Sequence, residues 1–418
     1  MFLFYLALVN LKQRISSLGP GLLYAGAAIG VSHLVQSTTA GALFGFTLIT
    51  AILLANIVKY PFFEAGSRYA AVTGKNLLDG YEKLGKWAVW LILFITISTM
   101  FTIQAAVTVV TAGIAEKLFG ISFEGPVVWS SMLLLLCMLL LAIGKYSFLD
   151  KIIKVIMVLL AVTTLVALFF SFKGEGIQET KGAVFSFFDS VHILFLIGLL
   201  GWMPAPLDIS IWQSLWSLEK QKQVKVTLKS ALFDFKIGFW GTLVLAICFL
   251  ALGANVLYGT GEVIEKSAGK FASQLINIYT SSIGSWAFYL IAIAAFFTMF
   301  STTLTCLDAV PRVLKSIVFK LTKKKSLLSN YWFYVLLIST GTLVILSYFI
   351  SSMVQMVKIA TAISFLTAPF IAILNYLVIY KTDLKEEDKP SNRMRVFSLI
   401  GIGLLVAFSL YYVIVLFQ

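Results

Sequence analysis

The sequence predicts an all-α integral membrane protein: two inverted repeats of five spans with an eleventh span appended. Three observations predict it. The 418 residues are 60% hydrophobic and only 12% charged, about half the charge of a soluble domain, so lipid is the natural solvent. The apolar residues gather into eleven runs, each close to the ~20 residues needed to cross hydrocarbon. Two of those runs, the first and the sixth, are interrupted at membrane depth, and they stand five spans apart.

The runs fall at 19–39, 43–67, 87–114, 126–144, 150–172, 187–214, 232–257, 283–309, 330–350, 355–380 and 395–417. Repeat one covers about 15–172, repeat two about 187–380, and the extra helix about 395–417, all within one transmembrane domain, 1–418. Ahead of them, MFLFYLALVN lacks a basic region and is followed by Lys12 and Arg14 rather than a cleavage site. It reads as a segment at the membrane surface, not a signal peptide. Spans one and two are split although hardly any polar sequence separates them. In span two, Glu64 and Arg68 stand four apart and pair on one helix face near Lys59. Lys358, at the start of span ten, snorkels. Cys137, Cys248 and Cys306 lie inside apolar runs, match no metal knuckle or disulfide framework, and read as small buried hydrophobes.

The charges fix the orientation. With the N-terminus in the cytoplasm, every inward loop is rich in base: Arg68, Lys75, Lys83 and Lys86; Lys145, Lys151 and Lys154; Lys220, Lys222, Lys225 and Lys229; Arg312, Lys315, Lys320, Lys323, Lys324 and Lys325; Lys381, Lys385, Lys389, Arg393 and Arg395. Outward loops are poorer: Lys173 and Lys181 are offset by Glu175 and Glu179, and Lys266 and Lys270 by Glu262 and Glu265. This alternation places the C-terminus outside the cytoplasm. It also accounts for the net charge of +13 without nucleic acid as a partner. The partners expected are membrane lipid and a small inorganic or organic substrate, with the chain acting as a monomer. No nucleotide-binding motif and no acidic pair on a soluble loop is present, so an ATP-driven pump, a membrane hydrolase and enzymes generally are set aside.

The interruptions carry the functional reading. Span one contains Gly26, Gly30 and Gly41, with the polar run Ser32, His33, Gln36, Ser37, Thr38 and Thr39 at membrane depth. Span six has Gly198 and Gly201 before Pro204 and Pro206, then Asp208. Two prolines that close cannot both sit in unbroken helix. Unwound backbone at this depth is tolerated only where protein or a cavity satisfies it. Two such helices facing each other form the substrate site of a secondary transporter working by alternating access. Intramembrane ionisable groups are candidates by default. His33 is read as substrate binding or proton handling, against a satisfied packing residue. Met203 is a ligand or gate, against core filling. Asp208 is cation binding, coupling or gating, against a helix cap. His192, nearer the outer end, is a gating candidate against an interfacial residue.

These residues also resemble a known family. The opening Gly19-Pro20-Gly21, the stretch from Ala40 to Gly45, Val72-Thr73-Gly74-Lys75-Asn76-Leu77, Leu118-Phe119-Gly120-Ile121, Met203-Pro204 and Ala368-Pro369-Phe370 are similar, in order and spacing, to motifs of the Nramp divalent-metal transporters. The resemblance implies the LeuT-type fold and a divalent metal such as Mn²⁺ or Fe²⁺ as cargo, with no resident cofactor. The family's metal-binding Asp-Pro-Gly-Asn falls here on Gly30, Val31, Ser32 and His33, so its carboxylate is absent. Met203 is kept, the histidine after the proline is Ala205, and a helix-ten glutamine falls on Thr361. The acidic residues linked to proton transfer fall near Gln104 and Val107, which puts proton coupling in question. A site of imidazole, thioether, hydroxyl and carbonyls leans toward softer metals. Two rivals stand beside the metal reading: an organic solute or amino acid on the same fold, and a non-transporting receptor or scaffold.

Overall fold

The computed structural model describes residues 18–144, 146–172, 184–261, 265, 267–323, 327, 330–349, 352–382 and 384–416. The expected surface segment 1–10 with Lys12 and Arg14 lies outside them, as do Lys145, Lys173, Glu175, Glu179, Lys181, Glu262, Lys266, Lys324 and Lys325.

The first traverse is α1 (Pro20–Ala28), a π-helical turn (Val31–Ser37) and α2 (Thr38–Phe44). The second is α3 (Ile49–Thr73), closed by Gly74 at φ 64°. A short amphipathic helix, α4 (Leu77–Leu84), follows, opened by a capping box between Asn76 and Asp79. Then come α5 (Lys86–Phe119), α6 (Val127–Ile143) and α7 (Tyr146–Ser171). The sixth traverse is α8 (Ser190–Trp202), capped by Asp189, and α9 (Ile209–Gln221). After α10 (Leu228–Leu257) a second amphipathic helix, α11 (Ala268–Ile283), leads to α12 (Phe288–Thr322), α13 (Tyr331–Tyr348) and α14 (Met353–Lys381). The last helix is α15 (Asn392–Leu416). The order broken span, long helix, short amphipathic helix, long helix, two further helices therefore occurs twice.

Six helices (α5, α10, α12, α13, α14 and α15) are long and apolar enough to cross a membrane unaided. The other traverses are the two broken ones, α3 with its buried Lys59, Glu64 and Arg68, and α6 and α7. Several expected boundaries need correction; span two runs on to Thr73 and span six to Gln221. Span one runs to Phe44, and span two starts at Ile49, because the chain reverses at Gly45 with φ 58°, a conformation open to glycine. Span eight runs on to Thr322, where its charged end leaves the apolar region and docks on α4.

Helices α1, α2, α3, α9 and α10 pack into one bundle, and α5, α6, α12 and α13 into another. Small residues set the approach of α10 to span one. A Cβ on Gly41 would strike the Leu250 carbonyl, and one on Gly253 the Thr38 carbonyl. Further along, Gly21 meets the Asp234 carbonyl and Gly238 meets that of Gly21. Such contacts let helices associate in lipid, where hydrophobicity does not drive packing.

Candidate functional site

The site is built from the two breaks. At break one, α1 stops at Ala28, and the chain leaves the helix at Ile29 and Gly30. The freed carbonyls of Gly26 and Ile29 lie 3.0 and 3.3 Å from the Thr302 hydroxyl of α12. Gly30 is needed for this approach, because a Cβ there would stand 2.9 Å from the Thr302 side chain. Ser32 donates to the Ala28 carbonyl at 2.7 Å. The start of α1 is held by Asp234 of α10, which accepts from Gly19 N–H at 2.9 Å and Gly21 N–H at 2.6 Å. A carboxylate at a helix N-terminus is favourably placed against the dipole.

Break two runs from Met203 to Asp208, with a cis Met203–Pro204 peptide. Pro204 and Pro206 withhold two amide donors, as expected. At its near end the carbonyls of Leu200 and Gly201 accept from Lys59 Nζ at 2.6 and 3.0 Å. At its far end Asp208 stands at the start of α9, buried, with Oδ1 unpartnered. Gly201 lies against the Thr361 carbonyl of α14, and Trp202 Nε1 donates to Ser364 at 2.8 Å.

Between the breaks lies a narrow cavity of about 20 Å³, lined among others by Ser32, Val107, Trp202, Pro206, Thr302 and Cys306. That is room for roughly one water. Its walls are mostly apolar, with hydroxyls from Ser32 and Thr302 and a thiol from Cys306. Among the described residues, no group of three or more His, Cys, Asp or Glu side chains is placed to hold a metal ion.

The structure brings some expected residues to this cavity and not others. Ser32 lines it, and Gly30 and Asp208 adjoin it. His33 turns away: its fully buried ring lies 2.7 Å from Ser32 Oγ through Nδ1 and 3.0 Å from the Thr242 carbonyl through Nε2. A carbonyl only accepts, so Nε2 carries a proton, and the ring locks span one to α10. Met203 is buried among Ala40, Phe44, Leu199 and Leu250, because its extended backbone points the thioether into that apolar cluster. Thr361 donates to its own helix, to the Val357 or Lys358 carbonyl, beside Gly198 and Gln36. Gln104 donates to the Thr303 carbonyl at 3.3 Å and to Thr108 at 3.2 Å, tying α5 to α12. His192 sits in the first turn of α8, accepting from Ser186 N–H at 3.1 Å and packed on Phe44 and Phe185. Lys59 and Thr302 are the residues sequence reasoning missed. A lysine at the centre of an apolar run was the signal for the first, while nothing in the sequence singled out the second.

The Nramp family, described as natural resistance-associated macrophage protein-like, matches residues 21–415. An uncharacterised protein of Pasteurella multocida, PM0681, is 36% identical over 405 residues, covering 96% of this chain and 92% of that protein. A divalent metal cation transporter, MntH, of Latilactobacillus sakei is 25% identical over 295 residues, covering 66% of this chain and 61% of that one. Among solved structures, a manganese transporter of Eremococcus coleocola superposes with a TM-score of 0.72 at 15% identity, over 96% of this chain and 87% of that chain. MhsT, solved in complex with L-phenylalanine, gives a TM-score of 0.65 at 16% identity, over 94% of this chain and 98% of that chain.

Proposed function

This chain belongs to the Nramp family, and from that premise we propose that its cargo is a divalent metal cation whose charge is met by Asp208. The family and fold make it a multi-pass membrane protein of the LeuT type and a secondary-active transporter of small solutes, not an enzyme. The observation that carries the metal reading is the carboxylate of Asp208, 9% exposed and with one oxygen unpartnered. A carboxylate at the centre of a membrane helix costs about 2.5–3.5 kcal/mol on insertion scales, and a cation offsets that cost. Asp208 lies between Pro206 and Ile209, which line the cavity together with Ser32, Thr302 and Cys306. Oxygen with one sulfur suits Fe²⁺ or Co²⁺ better than Mn²⁺. The carboxylate that the family carries in span one is thus supplied here from span six. His33, Gln104 and His192 position helices around this site, Met203 packs the apolar cluster beside break two, and Thr361 packs against α8. The lysine-rich loops support a cytoplasmic N-terminus and an extracytoplasmic C-terminus, and a single chain holds the whole site, as a monomer requires.

A second reading, a small neutral organic solute, is favoured by the mostly apolar cavity walls. Thermal unfolding of the purified protein separates the two. A ligand at a hundred times its Kd stabilises by about 2.7 kcal/mol. Saturable stabilisation by Fe²⁺ or Co²⁺, absent in Asp208→Asn, is the expected result. Stabilisation by a solute such as a neutral amino acid, with no metal effect, points to the second reading.

A further inference from the structure

The two breaks each expose the carboxyl end of a half-helix, and the chain treats them differently. The end of α1 is met by a neutral hydroxyl, that of Thr302. The end of α8 is met by the side-chain nitrogen of Lys59, which donates to the Leu200 carbonyl at 2.6 Å and to that of Gly201 at 3.0 Å. Lys59 is 1% exposed and reaches these atoms from α3, 141 residues earlier in the chain. Among the described residues it has no carboxylate within ion-pair distance. Its charge is therefore balanced by carbonyl dipoles at a helix carboxyl end, which carries a partial negative charge. Two carbonyl oxygens converging on one point at a helix carboxyl end are also what attracts a small monovalent cation.

Two nearby groups point the same way. Asn56 Oδ1, one turn before Lys59 on the same face of α3, is fully buried and without a donor. Gln36 Oε1, also buried and without a donor, stands 4.0 Å from the Cβ position of Gly198 in the last turns of α8. Both are buried oxygen acceptors without a donor, one on α3 with Lys59 and one facing α8 at Gly198.

We propose that the carboxyl end of α8 is a monovalent-cation site whose ion is permanently tethered, the Lys59 ammonium standing where a free K⁺-sized or ammonium ion would otherwise bind. Lys59 then also sets specificity. Its charge keeps a cargo cation off the carbonyls of break two and directs it to the Asp208 end of the same break. This site does not depend on what the cargo is.

The test is gain of ion dependence. Wild type, Lys59→Met, Lys59→Gln and Lys59→Arg are purified, and thermal unfolding is followed at constant ionic strength in Na⁺, K⁺, NH₄⁺ or N-methylglucamine. Wild type and Lys59→Arg are expected to show the same midpoint in all four. Lys59→Met and Lys59→Gln are expected to lose stability in N-methylglucamine and to regain it saturably with one of the small ions. A purely structural lysine would give the loss without the regain. A loss that no small ion restores, or a saturable monovalent-ion effect equally large in wild type, overturns the proposal. If both neutral variants fold only when a small ion is present during purification, the proposal stands. If they fold in none of the four, it falls.

Discussion

Gly253 shows how much one atom decides. A Cβ at this position would collide with the Thr38 carbonyl, and neither backbone can move without opening the α2–α10 contact. Gly253→Val is expected to cost about 1–3 kcal/mol, as overpacking does, read as a lower unfolding midpoint. Gly403, in α15, has open space around it. Gly403→Ala is expected to keep or raise that midpoint, since glycine inside a helix is about 0.5–1 kcal/mol worse than alanine. Equal effects at the two positions would contradict the packing described. At this scale the sequence was partly legible. Gly201, Pro204 and Pro206 announced their break because their backbone chemistry is local. His33 and Lys59 did not announce their partners, because the Thr242 carbonyl lies 209 residues away from the first and the Leu200 carbonyl 141 from the second. A polar residue in an apolar run shows that a partner exists, and only the fold shows which.

At the scale of elements, the short helices were the ones missed. α4 and α11 are amphipathic and brief, so neither produces the long apolar run by which spans are found. Yet α4 ties the charged end of span eight to the loop after span two. Lys320 pairs with Asp79 and with Glu82 at 3.0 Å, and Lys323 also pairs with Glu82. Partial burial would raise the Glu82 pKa, but the bonds from Lys323 and Lys320 outweigh it and hold the carboxyl below its usual value of 4.5. A depressed folded pKa gives stability that is present above the unfolded pKa and lost as pH falls through the folded one. Docking of α4 is therefore expected to be intact at neutral pH and to weaken below about pH 4. Hydrogen exchange of residues 77–84 checks this, and Glu82→Gln should show the faster exchange already at neutral pH. The pairs are exposed enough that high salt is expected to mimic part of the effect. In span one, α1 depends on one carboxylate. Asp234→Ala is expected to raise exchange across residues 20–28, while α12 stays protected. Uniform loosening would mean that Asp234 supports the whole bundle rather than this helix.

At the scale of the whole molecule, the span order and both breaks were legible because hydrophobicity and proline act through composition alone. Eleven spans were expected, and their helices begin and end within about five residues of the expected positions, except at the start of span two and at the far ends of spans two, six and eight, which run on by six or more residues. The cavity between the breaks was not legible, since its lining is drawn from spans one, three, six and eight. Orientation rests on the lysine clusters. A single cysteine at Lys222→Cys, in the exposed loop after α9, is expected to react with an impermeant thiol reagent only from the cytoplasmic face. Labelling from outside would invert the assignment.

On the reading proposed above, a divalent cation crosses between the two breaks with Asp208 as its counter-charge. Uptake into proteoliposomes tests it most directly, with Mn²⁺, Fe²⁺ and Co²⁺ offered to the wild type and to Asp208→Asn. Saturable uptake by the wild type that Asp208→Asn loses, with His33→Ala and Met203→Ala retaining it if folded, is the predicted result. Folded wild type that carries none of these ions, or Asp208→Asn that carries them unimpaired, would contradict it.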